Sequence, residues 1–169
     1  MMSCIDVFNE SGYSLSSRGV QGLVATVLEA EYAQGAVSVA FVTELRMKDL
    51  NQYYRDLDES TDVLSFAERD AESIDFIEYD QSNALDESLE CKKEEVEWGE
   101  LVVCPSVVER YAVEEGNASE KQMAWTLLHG TLHLLGYDHE TDQGEMRRRE
   151  QELLGQMNEL FTELCFSKS

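Results

Sequence analysis

Residues 99–136, GELVVCPSVVERYAVEEGNASEKQMAWTLLHGTLHLLG, decide the fold class. Gly99 to Cys104 is a short apolar, β-branched run of strand length. Pro105 follows where the first turn of a helix tolerates a residue without an N–H, and the helix it opens runs from Ser106 to Glu115 and closes at Gly116. Ser119 and Gln122 then have the S-x-x-Q spacing of a capping box, in which each side chain bonds the other residue's backbone N–H. A second helix is therefore predicted from Ser119 to about Leu135, ended by Gly136.

The same interleaving continues toward the N-terminus. Cys4 to Val7 reads as a short edge strand and Asn9 to Ser14 as a turn. Val20, Leu23, Val24, Val27 and Leu28 recur at helical spacing within Leu15 to Ala33, and Gly35 stops that helix. Ala36 to Val42 has the length and composition of a buried strand, Glu44 to Tyr54 is predicted helical with Leu45, Leu50 and Tyr53 inward, and Val63 to Phe66 is a further strand. Beyond Gly136, Tyr137 to Asp142 is a loop and Glu145 to Leu164 a long charged helix with an apolar stripe at Met146, Leu153, Leu154, Met157, Leu160 and Leu164. The expectation is an α+β fold, a single domain over residues 1–169, with one mixed β-sheet packed with several helices and a metal site at the end of a central helix. Residues 68–98 are rich in Asp and Glu and read as an acidic, solvated loop with room for a short hairpin.

At 169 residues and 43% hydrophobic, the chain suffices for one core. No run approaches the length of a membrane span, and MMSCIDVFNE has neither the basic region nor the apolar run of a signal peptide, so a cytoplasmic protein with no membrane partner is expected. Cys4, Cys91, Cys104 and Cys165 form no C-x-x-C pair and are expected to be reduced structural thiols. A formal charge of −22 argues against a general nucleic-acid binder, whose footprint is a basic face.

His129, His133 and His139 are the chain's entire histidine complement. A spacing of four puts His129 and His133 on one face of the predicted helix, one turn apart, and Gly136 lets the chain turn back so that His139 reaches the same ion from the loop. Three imidazoles with no cysteine to close the shell match a catalytic zinc site with one open position. Isolated histidines usually pack or face solvent, but three clustered at ligand spacing do not fit that explanation. H-x-x-x-H-x-x-G-x-x-H is also the metzincin protease spacing, yet the general-base Glu that follows the first histidine there is Gly130 here, which removes the group that would deprotonate water.

HGTLHLLGYDH resembles the signature of the YbeY family of bacterial endoribonucleases, and LNQYYRDLDESTDVLSF (50–66) and WGELVVCPSVVERYAVEEG (98–116) agree in order and spacing. The chain departs from the family at Ala67, where Pro is common, and at Glu100, where Asp is commoner. The resemblance implies a single-strand-specific, metal-dependent endoribonuclease acting in 16S rRNA 3′-end maturation and ribosome quality control. The implied partners are rRNA, the ribosomal small subunit and ribosome-associated assembly proteins. It further implies one Zn2+ ion held by His129, His133 and His139, with His129 and Arg55 as the catalytic residues. Arginine suits phosphate because its planar fork meets two oxygens and stays charged, although Arg55 could equally pair with Asp56 or Asp58. Asp138 could orient a ligand imidazole or act only as a loop carboxylate; Arg147 to Arg149, flanked by Glu145, Glu150 and Glu152, read as a charge-laced exposed helix. The competing readings are a zinc metallopeptidase-like hydrolase and a non-catalytic ribosome assembly factor with a structural metal.

Overall fold

A computed structural model describes residues 3–69 and 96–168. Its centre is a mixed four-stranded sheet in the order β1 (Cys4–Asn9), β3 (Ala36–Phe41), β5 (Glu97–Val103), β4 (Val63–Ala67). β1 and β5 run parallel to β3, whereas β4 runs antiparallel to β5, with Val63 opposite Val103 and Ala67 opposite Gly99. The described helices are α1 (Ser17–Ala30), α2 (Glu44–Arg55), α3 (Pro105–Glu115), α4 (Ser119–Leu134) and α5 (Glu145–Gln156). This is the predicted α+β architecture. Most of the acidic stretch 68–98 lies outside the described residues, as does any hairpin within it.

Side-chain alternation along the strands builds two apolar layers. Leu101 and Val103 of β5 join Val37, Val39 and Phe41 under α1, α4 and α5, in a core that includes Val20, Leu23, Val27, Leu127, Leu132 and Leu153. Val102, Cys104, Leu64 and Phe66 face the other way, onto Met47 and Leu50 of α2 and Val107 of α3. One face of the sheet is covered along its length; on the other, Ala40 near the Phe41 end of β3 is buried while Ala36 and Ser38 are half-buried.

Four expectations are corrected. In α2 the inward residues are Met47, Leu50 and Asn51, while Leu45 and Tyr53 are 72% and 64% exposed. Ser119 and Gln122 do not form a capping box: Ala118 is the N-cap residue, and buried Gln122 accepts from Asn117 Nδ2 at 3.0 Å. The C-terminal helix ends at Gln156 instead of reaching Leu164, and two single 3₁₀ turns, Asn158–Leu160 and Thr162–Leu164, continue the apolar stripe around α1. Cys4 is disulfide-bonded rather than reduced, while Cys104 and Cys165 are free.

A two-stranded antiparallel ribbon, β2 (Tyr13–Ser14) with β6 (Ser167–Lys168), was not foreseen. Pairs this short carry no periodicity to read. No described helix is long and apolar enough to cross a membrane.

Candidate metal centre

α4 is buried along most of its length, and its C-terminal turns present His129 and His133 side by side, with Nε2 atoms 3.1 Å apart. Gly136 follows at φ 106°, a left-handed conformation that glycine adopts without a Cβ penalty. Its N–H bonds the His133 carbonyl and the Tyr137 N–H bonds the Leu132 carbonyl, so the chain folds back over the helix end. That turn brings His139 Nδ1 within 3.1 Å of His133 Nε2. One ligand atom from each ring lies within 4.8 Å of the others, a donor set able to hold a metal ion.

Hydrogen bonds fix two of the rings. His133 Nδ1 is 2.9 Å from the Tyr137 carbonyl, which can only accept, so Nδ1 carries the hydrogen and Nε2 keeps its lone pair. Burial, then the neighbouring His129, hold the His133 pKa below its ordinary value, with the Tyr137 carbonyl opposing them. A neutral ring is the form a metal requires. His129 Nδ1 is 2.5 Å from Glu150 Oε1, and Trp125 stacks on the same ring with centroids 4.8 Å apart and an interplanar angle of 27°.

Glu150 is only 7% exposed, which corrects the reading of this stretch as a uniformly exposed charged face. The signal was present: Met146, Glu150, Leu153 and Met157 share one helical face, and a lone carboxylate on an apolar stripe needs a partner. Arg149 also turns inward, pairing with Glu31 and donating to the Ala30 carbonyl at 3.1 Å. Asp138 does not reach a ring. Its Oδ1 accepts from the Glu140 N–H, making it a loop carboxylate.

The histidines form one side of a cleft of about 560 Å³ whose lining also includes Arg55, Asp62, Ser65, Arg69 and Trp125. Arg55 is the last residue of α2, held there by a left-handed Asp56 (φ 56°) whose N–H bonds the Gln52 carbonyl. Asn51 Nδ2 donates to the Glu59 carbonyl at 2.8 Å and ties the following loop to the helix. The anticipated Arg55 pairing with Asp56 or Asp58 is not formed among the described residues; Asp58 pairs with Lys48. Arg69, which the sequence did not single out, donates to the Leu134 and His133 carbonyls at 3.0 and 3.2 Å. Asp62 is held above the usual carboxylate range by burial, an effect opposed mainly by the Val63 N–H that its Oδ1 accepts at 2.9 Å.

Gly130, where a metzincin has its base, faces the sheet. A Cβ there would lie 2.8 Å from Leu101 Cδ2 and 3.2 Å from Val63 Cγ2, so even a methyl group at this position would crowd the sheet.

Residues 7–158 match the family model described as Endoribonuclease YbeY. The chain belongs to the YbeY family. A protein of Desulfitobacterium hafniense named Endoribonuclease YbeY is 36% identical over 152 residues, covering 88% of each chain. Another so named, from Pelotomaculum thermopropionicum, is 38% identical over 136 residues, covering 78% of this chain and 80% of its own. The solution structure of TM1509 from Thermotoga maritima is similar with a TM-score of 0.59 at 28% identity, covering 94% of this chain and 92% of that one.

Proposed function

We propose that this chain is a metal-dependent endoribonuclease that cleaves single-stranded rRNA, with 16S rRNA 3′-end maturation and ribosome quality control as its setting. One zinc ion is assigned to His129, His133 and His139, and the ribosomal small subunit with its assembly proteins supplies the partners. The observation that carries the reading is the convergence of three imidazole nitrogens in the same cleft as an arginine without a carboxylate partner among the described residues. Membership of the YbeY family supports RNA as the substrate.

When bound, the metal supplies Lewis-acid chemistry, polarising a phosphoryl oxygen and acidifying water. Arg55 binds the scissile phosphate through its fork and stabilises the charge that develops on it. Glu150 and the Tyr137 carbonyl hold the His129 and His133 rings with Nε2 turned inward. Asp62 lines the same cleft, its Oδ1 accepting from the Val63 N–H. RNA carries an internal 2′-hydroxyl that can serve as nucleophile in place of water, so a glycine at position 130 is less damaging to RNA cleavage than to peptide hydrolysis.

Zinc-loaded protein incubated with single-stranded and structured RNA should cleave the former, and His129→Ala should not. Equal trace cleavage by both proteins would attribute the signal to contamination and remove the enzyme reading.

A further inference from the structure

We infer that Glu150 is a positioning residue of the metal site: its buried carboxylate accepts the Nδ1 hydrogen of His129 and thereby presents Nε2 of that ring to the ion. The inference rests on the reading of His129, His133 and His139 as metal ligands.

The sequence places Glu150 where a purely structural residue would be apolar. Met146, Leu153 and Met157, its neighbours on that face of α5, are at most 2% exposed. An ionised carboxylate among such side chains is costly unless its oxygens are bonded. Both are committed to α4, Oε1 to His129 Nδ1 at 2.5 Å and Oε2 to the indole N–H of Trp125 at 3.3 Å. Trp125 and His129 are four residues apart, and their rings stack, so one carboxylate fixes the ring and the aromatic plate lying on it.

The chemistry of the acceptor decides the tautomer. A carboxylate accepts only, so Nδ1 of His129 donates to it and Nε2 is the atom left to face a metal ion. That Nε2 is the atom 3.1 Å from His133 Nε2. The two helix ligands are therefore held in the same tautomer by different acceptors, a neutral carbonyl for His133 and an anion for His129. A carboxylate in that place adds compensating charge beside a divalent ion.

Two variants test this, Glu150→Gln, which keeps the volume, and Glu150→Ala, which removes the group. Zinc affinity is measured by competition with a chromophoric chelator, and the His129 tautomer by long-range 15N correlation in the metal-free protein. Removing such an outer hydrogen-bond partner weakens binding by about 10–100-fold, with Glu150→Gln expected near the lower end. The wild-type ring should show a protonated Nδ1, and the Glu150→Ala ring a mixture of tautomers. Glu159→Gln, which removes the same charge from an exposed position, should bind zinc as wild type does. If Glu150→Ala does not fold, Glu150→Gln carries the test. Wild-type affinity in the folded variants would overturn the role of Glu150 alone, whereas a wild-type protein that takes up no zinc would overturn the metal site on which it depends.

Discussion

Gly130→Ala should separate helix propensity from close packing. In an exposed helix interior this exchange stabilises by about 1 kcal/mol. Here the added methyl would sit 2.8 Å from Leu101 Cδ2, nearer than Cβ contacts occur, with Val63 Cγ2 and Ser65 Oγ at 3.2 and 3.3 Å. Leu101 is fully buried between the sheet and α4, so its methyl has little space to retreat into. Overpacking of this kind costs about 1–3 kcal/mol. Gly22→Ala is the matched control, because it lies within α1 and a Cβ there meets nothing within 4 Å among the described residues. The difference between the variants removes the shared propensity gain and leaves the packing cost. At about 2–4 °C per kcal/mol for a chain of this size, Gly130→Ala should melt about 2–12 °C below Gly22→Ala. Calorimetry of both metal-free proteins is the assay. A Gly130→Ala protein that melts at or above its control would refute the claim that this glycine lets α4 approach the sheet. The same geometry predicts that Gly130→Glu disrupts packing instead of creating a peptidase.

Arg55→Ala should lower RNA cleavage by about 10²–10³-fold while zinc content is unchanged, since one charge-stabilising donor is worth that much; full activity in a zinc-loaded variant would remove Arg55 from the mechanism. For Asp62, burial raises the folded pKa above the unfolded one, so its contribution is most favourable when both states are protonated and is lost as pH rises through the folded value. Asp62→Asn, still able to accept the Val63 N–H, should therefore gain stability relative to wild type as pH rises toward neutrality, and denaturant titrations showing a constant difference across that range would contradict the sign. Tyr137→Phe removes the 2.9 Å bond to Glu31 but not the carbonyl that holds His133, so it should cost about 1 kcal/mol in unfolding free energy and leave zinc affinity near wild type.

The legible parts of the fold were those with a long period and a uniform environment. Val37, Val39 and Phe41 bury one whole face of β3 and α1 has a full apolar stripe, so each announces itself locally. The length of α2 is legible in the sequence but its inward face is not, because Asn51 is buried by its bond to the Glu59 carbonyl while bulky Tyr53 is left outside; hydropathy alone ranks them the other way. The S-x-x-Q pattern at Ser119 failed because Asn117 reaches Gln122 first, a contact set by the turn after α3. Within the cleft, the histidine spacing brought together residues ten positions apart. Glu150 and Arg69 come from elements that are near it only after folding, and only the apolar stripe of α5 hinted at Glu150.

Arg69 has a further consequence for a chain of charge −22. The peptide dipoles of α4 sum to a partial negative charge at its C-terminal end, where His133 lies, and that charge favours a cation beside the imidazoles. The same field would repel an approaching phosphodiester. By capping the His133 and Leu134 carbonyls, the Arg69 guanidinium offsets that field on the cleft side, so one helix end can attract a metal ion without turning away a polyanion.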